Sequence, residues 1–168
     1  MQLYHSIIPS PIWDIYAVAN NDFLLLLEFG NSGELESKTH KIEKRYHTKI
    51  STWTNPILEK TKQELSEYFA WKRKKFDIPL QMDWTLFQQK SWKALTDIPY
   101  AETRNYSEQA YVTWNPKAVR AIGWANHNNP IVIIVPCHRV IWKSGKLVGY
   151  GWGIERKIWL LDHEKNNI

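Results

Sequence analysis

Residues 131–140 read Ile131-Val132-Ile133-Ile134-Val135-Pro136-Cys137-His138-Arg139-Val140 and carry the only cysteine of the chain. The run from Ile131 to Val135 is wholly isoleucine and valine, which predicts a fully buried strand, because β-branched side chains pack well on a pleated surface. Pro136 ends that strand, having no N–H for a ladder and a fixed φ. Cys137 is then delivered from a rigid support, with His138 and Arg139 directly after it. Positive charge beside a thiol lowers its pKa from about 8.5 and raises the thiolate fraction. Taken alone, a single cysteine after an apolar run is more often a small core residue, so its surroundings must decide.

A chain of 168 residues holds one domain or two small ones and can bury a real core. Hydrophobic content of 43% is ordinary, whereas ten tryptophans are not. One cysteine excludes an internal disulfide and leaves a free thiol, so a reducing, intracellular home is expected, cytoplasmic, or nuclear in a eukaryote. No signal peptide is evident and the run Phe23 to Phe29 is short and broken by Glu28, so no membrane partner is expected. The net charge of +5 is unevenly spread. Residues 1–85 hold 11 Lys+Arg and 11 Asp+Glu, and residues 86–168 hold 11 and 6, so the whole excess lies in the half with the thiol. That distribution suits a polyanionic partner.

Along the first half, apolar stretches around Ile7-Ile8 and Ile12 to Val18, the turn Asn20-Asn21-Asp22 and the run Phe23 to Phe29 predict a hairpin or small sheet. Gly30-Asn31-Ser32-Gly33 is a second turn, and residues 34–50 alternate weakly, as a third strand or a long loop. His40 and His47 have no cysteine or close acidic partner, so no metal site is expected there. Asn55-Pro56 starts a helix as cap and first residue, and Leu58, Thr61, Leu65, Tyr68 and Phe69 keep its spacing to an end marked by Lys72-Arg73-Lys74-Lys75. Phe76 to Leu80 is a linker, which divides the chain into domains at 1–80 and 81–168.

In the second half, Thr85 opens a helix through Phe87, Ser91, Ala94 and Leu95, and residues 103–112 form a short second one. Asn115-Pro116 repeats the cap-and-proline start for a third helix running to about Asn126. On it Ala118, Ile122 and Ala125 share one side, while Lys117, Arg120, Trp124 and His127 share another. Two short helices with a basic and aromatic stripe on the second suggest a helix-turn-helix. Ser144-Gly145-Lys146 is a turn and Leu147-Val148 a short extended piece. Gly149-Tyr150-Gly151-Trp152-Gly153 is an aromatic loop whose glycines let the backbone approach a flat ligand. Ile154, Ile158 and Leu161 mark a last helix, with Glu164 near its end.

Phe87-Gln88, Trp92, Ala94-Leu95, Ile98-Pro99-Tyr100, Tyr106, Pro116 to Ala121, Gly123, Ala125, Asn129-Pro130, Pro136 to Val140 and Gly149-Tyr150 together resemble the O6-alkylguanine-DNA alkyltransferase family. The resemblance runs from about Leu58 to the C-terminus and is densest over 86–164. It implies a ribonuclease-H-like α/β N-terminal domain and a mainly helical, winged-helix-like C-terminal domain. It implies a monomer that binds double-stranded DNA, flips out O6-alkylguanine and moves the alkyl group irreversibly to its own Cys137, once per molecule and without a cofactor. By position, His138 resembles the base that passes the thiol proton, through a water, toward Glu164, and Asn129 the asparagine that braces the site. Arg120 matches the finger that replaces the flipped base, with Lys117, Trp124 and Arg139 beside it on the DNA. Tyr106 matches the tyrosine near the target phosphate, and Tyr150, Gly151 and Trp152 the wall of the base pocket.

The chain departs from the family pattern at several points. Ala101 stands where glycine is usual, Asn105 where serine or threonine is, Asp83-Trp84 where a glycine is common, and Gly151 where some relatives carry serine. Trp152 replaces a frequent glycine, and one cysteine rules out the structural zinc of certain relatives. A cysteine hydrolase is a rival reading, but its Cys and His come from distant segments and no oxyanion loop is evident. A non-catalytic helix-turn-helix protein or lesion sensor explains Arg120 and leaves Cys137 unexplained.

Overall fold

The early apolar runs pair because each has two faces to hide. In the computed structural model, which describes residues 1–30, 35–147 and 149–167, β1 (Leu3–Ile8), β2 (Ile15–Ala19) and β3 (Leu24–Phe29) form an antiparallel meander. β4 (Ile50–Thr52) adds in parallel to β1, and the sheet order is β3-β2-β1-β4. Every residue of β2 and β3 is buried, which is why they read as continuous apolar runs rather than as an alternation. Of the expected turn at 30–33, Asn31, Ser32 and Gly33 lie outside the described residues, as does Val148 of the expected extended piece.

The described residues from 35 to 49 are neither a strand nor a long loop, and the expected third strand starts only at Ile50. They hold helix α1 (Glu36–Tyr46) ahead of β4. Ile42 is its only buried residue, seated with Leu3, Tyr16, Val18 and Leu25, and one anchor in eleven residues leaves no helical period to detect. Helix α2 (Pro56–Phe69) follows the expected rule: the Asn55 side chain accepts from Leu58 N at 2.9 Å, with proline at the first position. It packs against β1 and β2. The basic run 72–75 lies beyond its last turn, and Arg73 pairs with Glu67 at 2.7 Å instead of meeting the helix end. These elements make one unit, Met1–Met82, and the rest of the chain a second, Asp83–Ile168.

The second unit opens on α3 (Leu86–Thr96), capped by Thr85 and Gln88 in reciprocal fashion. Helix α4 (Tyr106–Val112) has the same device, Asn105 accepting from Ser107 N and Glu108 N at 3.0 Å, so asparagine serves where serine or threonine was expected. Helix α5 (Val119–His127) starts later than Asn115-Pro116 implies. Residues 115–118 form a turn closed by Ala118 N donating to Asn115 O at 2.9 Å, and no side chain caps the helix. Gln109 and Asn126 exchange amide hydrogen bonds at 2.7 and 3.0 Å, and Trp92 Nε1 donates to Ala125 O at 2.9 Å. These buried bonds bind α3, α4 and α5 into one body. Strands β5 (Arg104–Asn105) and β6 (Val140–Ile141) pair in parallel, and α6 (Ile154–Lys165) closes the unit. Among the described residues no helix is long and apolar enough to cross a membrane.

Candidate active site

The segment before the cysteine is buried at every residue but Ile134, and it is not a strand. Ile131 to Val135 coils, with Ile133 at φ 69, Val135 N donating to Ile131 O at 3.1 Å and Ile134 N to Val132 O at 2.8 Å. Asn129 imposes this shape. Its Oδ1 accepts from Ile131 N at 3.0 Å, while its Nδ2 donates to Val135 O at 2.7 Å and to Cys137 Sγ at 3.2 Å. One buried amide therefore satisfies both ends of the coil and reaches the sulfur. A purely apolar run carries no period that separates such a coil from a strand.

Cys137, His138 and Arg139 form a single 3-10 turn, wholly buried. His138 Nε2 lies 2.8 Å from Glu164 Oε1. Burial alone would push the Glu164 carboxyl up, but the His138 and Arg139 contacts outweigh it and hold it well below the usual carboxylate range. An ionised Glu164 requires the proton on Nε2, which leaves the His138 Nδ1 lone pair bare. Nδ1 is buried and makes no hydrogen bond among the described residues. Burial lowers the His138 pKa, against the pull of Glu164, so the ring is neutral and ready to accept a proton.

Arg139 is placed otherwise than on the DNA face. Its side chain is buried, with Nε 2.9 Å and Nη2 3.0 Å from the two Glu164 oxygens and Nη1 donating to Ile98 O at 2.7 Å. A planar fork suits a carboxylate better than solvent, and adjacency to Cys137 in sequence hid that the guanidinium turns toward α6. Ala101 N donates to Glu164 Oε2 at 3.1 Å, from a residue at φ 63.

The thiol is not acidified by its sequence neighbours. Desolvation pushes Cys137 up to about 11, while the Asn129 hydrogen bond, the Lys157 charge and the Tyr150 hydroxyl draw it partly back. Lys157 is the cation that sequence reading missed. It is fully buried, donates from Nζ to Val140 O at 2.5 Å and stands 6.0 Å from the Tyr150 ring centre. The buried face of α6 is Lys157, Leu160, His163 and Glu164, with Ile158 exposed; a lysine three residues before Leu160 and seven before Glu164, on their side of the helix, was the available signal. Tyr106 starts α4 beside the β5–β6 pair, its ring 5.5 Å from that of Trp142. Its phenol pKa is raised by burial and by Cys137.

The expected stripe is present on α5 and the turn before it: Lys117, Arg120, Trp124 and His127 are exposed, while Ile122 and Ala125 are buried. Tyr150 and Trp152 lie with ring centres 5.2 Å apart, and Trp152 is buried rather than at an open rim.

Two profiles match nearly the whole chain. Residues 3–82 match "6-O-methylguanine DNA methyltransferase, ribonuclease-like domain", and residues 86–166 match the DNA binding domain of the same proteins. The likeness thus reaches back beyond Leu58, over the first sheet as well. A methylated-DNA–protein-cysteine methyltransferase of Methanosarcina barkeri is 40% identical over 167 residues, 99% of each chain. Its namesake from Mycobacterium tuberculosis is 46% identical over 142 residues, 83% of this chain and 86% of the other. Among solved structures, Mycobacterium tuberculosis OGT in complex with DNA matches with a TM-score of 0.83 and 41% identity, covering 98% of this chain and 94% of that one.

Proposed function

Since the chain belongs to the 6-O-methylguanine DNA methyltransferase family, we infer that it repairs DNA by moving an alkyl group from O6 of a flipped guanine to Cys137. It is a DNA-binding methylated-DNA–protein-cysteine methyltransferase. The observation that carries the residue assignment is the burial together of Cys137, which bonds to Asn129, and of His138, which is held by Glu164. Duplex DNA is engaged along Lys117, Arg120 and Trp124, the exposed stripe of α5. The alkyl carbon is out of reach inside a base stack, so the nucleotide is rotated out, at a cost of about a few kcal/mol. Arg120 fills the space it leaves.

At rest the thiol keeps its proton, because burial disfavours the thiolate. When the flipped base is in place, His138 Nδ1 takes that proton through one water, and Glu164 on Nε2 supports the imidazolium that results. Lys157 supplies positive charge to the sulfur as it ionises. Sulfur attacks the alkyl carbon in line as the carbon–O6 bond breaks, and the electron pair remains on the guanine oxygen. Tyr106, whose phenol stays protonated, donates a hydrogen bond to the leaving guanine. The alkyl group passes from oxygen to sulfur, and the proton that His138 took is returned through water to the guanine anion, which leaves His138 neutral again. The C–S bond of the thioether formed is stable, since a nucleophile would have to expel the Cys137 thiolate to break it, so the protein acts once. It acts as a monomer, since the second unit holds both the stripe and the thiol, and in a reducing, cytoplasmic setting that suits a free cysteine.

Intact-mass spectrometry after incubation with duplex DNA containing O6-methylguanine tests this directly. One methyl on Cys137 is expected, with none on Cys137→Ser, which still binds DNA. Repeated turnover on excess substrate, or transfer by the serine variant, overturns it. Arg120→Ala is expected to slow repair of duplex far more than reaction with free O6-benzylguanine, and equal losses would place Arg120 elsewhere.

A further inference from the structure

His127 shares the spacing of the exposed stripe on α5 but differs from Arg120 in what it touches. Of the three glycines in the pocket loop, Gly149 and Gly153 need their freedom, at φ 65 and 95. Gly151 does not, because its φ lies outside the left-handed region. What crowds a side chain there is His127. A Cβ added at Gly151 would stand 3.0 Å from His127 Nδ1 and 3.2 Å from Cε1, with the His127 carbonyl oxygen at 3.6 Å. The imidazole therefore packs against Gly151 on the side where a residue at 151 would carry its Cβ, and has to give way by a few tenths of an ångström to admit one.

We propose that His127 is a positioning residue of the base pocket: its ring fills the missing side chain of Gly151 and braces the pocket loop against the last turn of α5. The proposal rests on the alkyl-transfer reading. The neighbour of Gly151 is Tyr150, which interacts with the Cys137 sulfur, so a shift of the loop at 151 is felt at the nucleophile. The brace also ties the helix that carries Arg120 to the loop that receives the flipped base. A residue that merely touched phosphate would leave the pocket untouched when removed.

Four proteins test the pair: the native chain, His127→Gly, Gly151→Ala and the double variant. Each is assayed for transfer from free O6-benzylguanine and from methylated duplex, for duplex affinity across salt concentrations and for thermal unfolding. His127→Gly is expected to slow the free-base and duplex reactions alike, by about tenfold, the size of effect a displaced loop produces. The salt slope of DNA binding stays unchanged. Gly151→Ala is expected to slow both reactions comparably, and the double variant to recover most of the native rate, because the new methyl takes the place of the ring. Losses that simply multiply in the double variant overturn the pairing. A loss confined to duplex, with a shallower salt slope, shows His127 to be a DNA contact instead and overturns it equally. Should Gly151→Ala fail to fold, His127→Gly and the double variant still carry the comparison. Absence of any Cys137 adduct in the native chain would strike the alkyl-transfer reading itself, whereas a native adduct without coupling strikes only the brace.

Discussion

Arg139→Leu separates the two places this residue can act. In the structure its guanidinium makes two bonds to Glu164 and one to the Ile98 carbonyl, and the residue is 6% exposed. Leucine keeps much of the apolar volume but strips the guanidinium from a buried carboxylate that still meets His138 and Ala101 N, and it removes the donor to the Ile98 oxygen. Breaking a buried ion pair by removing one partner costs about 3–5 kcal/mol. For a chain of this length that is a fall in Tm of about 6–20 °C. Arg139→Lys keeps the charge without the fork and is expected to fall between. Differential scanning calorimetry reads the stability, and fluorescence anisotropy with unmodified duplex reads the affinity. A variant that melts like the native chain yet binds duplex tenfold more weakly would refute the placement and return Arg139 to the DNA.

Other expectations follow from the same site. Ala101→Gly relieves a left-handed alanine while keeping the amide that meets Glu164, and is expected to stabilise by about 0.5–1 kcal/mol in urea unfolding; a loss of stability would mean the methyl packs usefully. Stability is also expected to fall at both ends of the pH scale. The raised Cys137 value, about 11 against 9.0, contributes about 2–3 kcal/mol that is complete below pH 9 and lost as pH rises through 11, so Cys137→Ala flattens the alkaline limb. On the acid side, the lowered His138 value makes stability decline as pH drops below 6.5, and the lowered Glu164 value adds to the decline below 4.5. Trp152→Ala, which empties a buried site beside Tyr150, is expected to cost about 3–5 kcal/mol and to raise the benzyl-to-methyl rate ratio; an unchanged ratio shows that the indole does not limit the alkyl group.

What could be seen in the sequence was local chemistry. Asn55-Pro56, the Thr85 start and the stripe on α5 are rules acting within a few residues, and the structure follows them. Helix α1 escaped because its single anchor, Ile42, finds its partners on strands far away in sequence. The coil at 131–135 escaped because an amide at Asn129 directs it, and a hydrogen bond from a side chain to backbone six residues on leaves no mark on hydrophobic periodicity. Arg139 and Lys157 mislead in opposite ways. The first lies two residues from the thiol in sequence and turns to Glu164, and the second is twenty residues away and lends its charge to the sulfur.

A thiol held at about 11 is an odd nucleophile for a catalyst, whose groups work best with pKa values near the working pH. The difficulty disappears for a protein that reacts once. Holding Cys137 ionised at pH 7 costs about 5 kcal/mol, so only about one resting molecule in 10,000 carries the thiolate. That reserve guards a group that cannot be replaced: on the proposed mechanism the sulfur is kept from stray electrophiles until a flipped base fills the site and the proton passes through its water to His138. Native protein at pH 7.5 is therefore expected to react with iodoacetamide at least about a hundredfold more slowly than the urea-unfolded chain, whose thiol returns to its ordinary range. Asn129→Ala tests the cause, since it cuts the tie to Val135 that holds the coil over the sulfur, although it also removes a hydrogen bond that draws the thiol down. It is expected to expose the thiol and narrow the difference. Equal labelling of native and unfolded protein would show that Cys137 is neither buried nor held protonated, and the account of a guarded, single-use nucleophile would have to be given up.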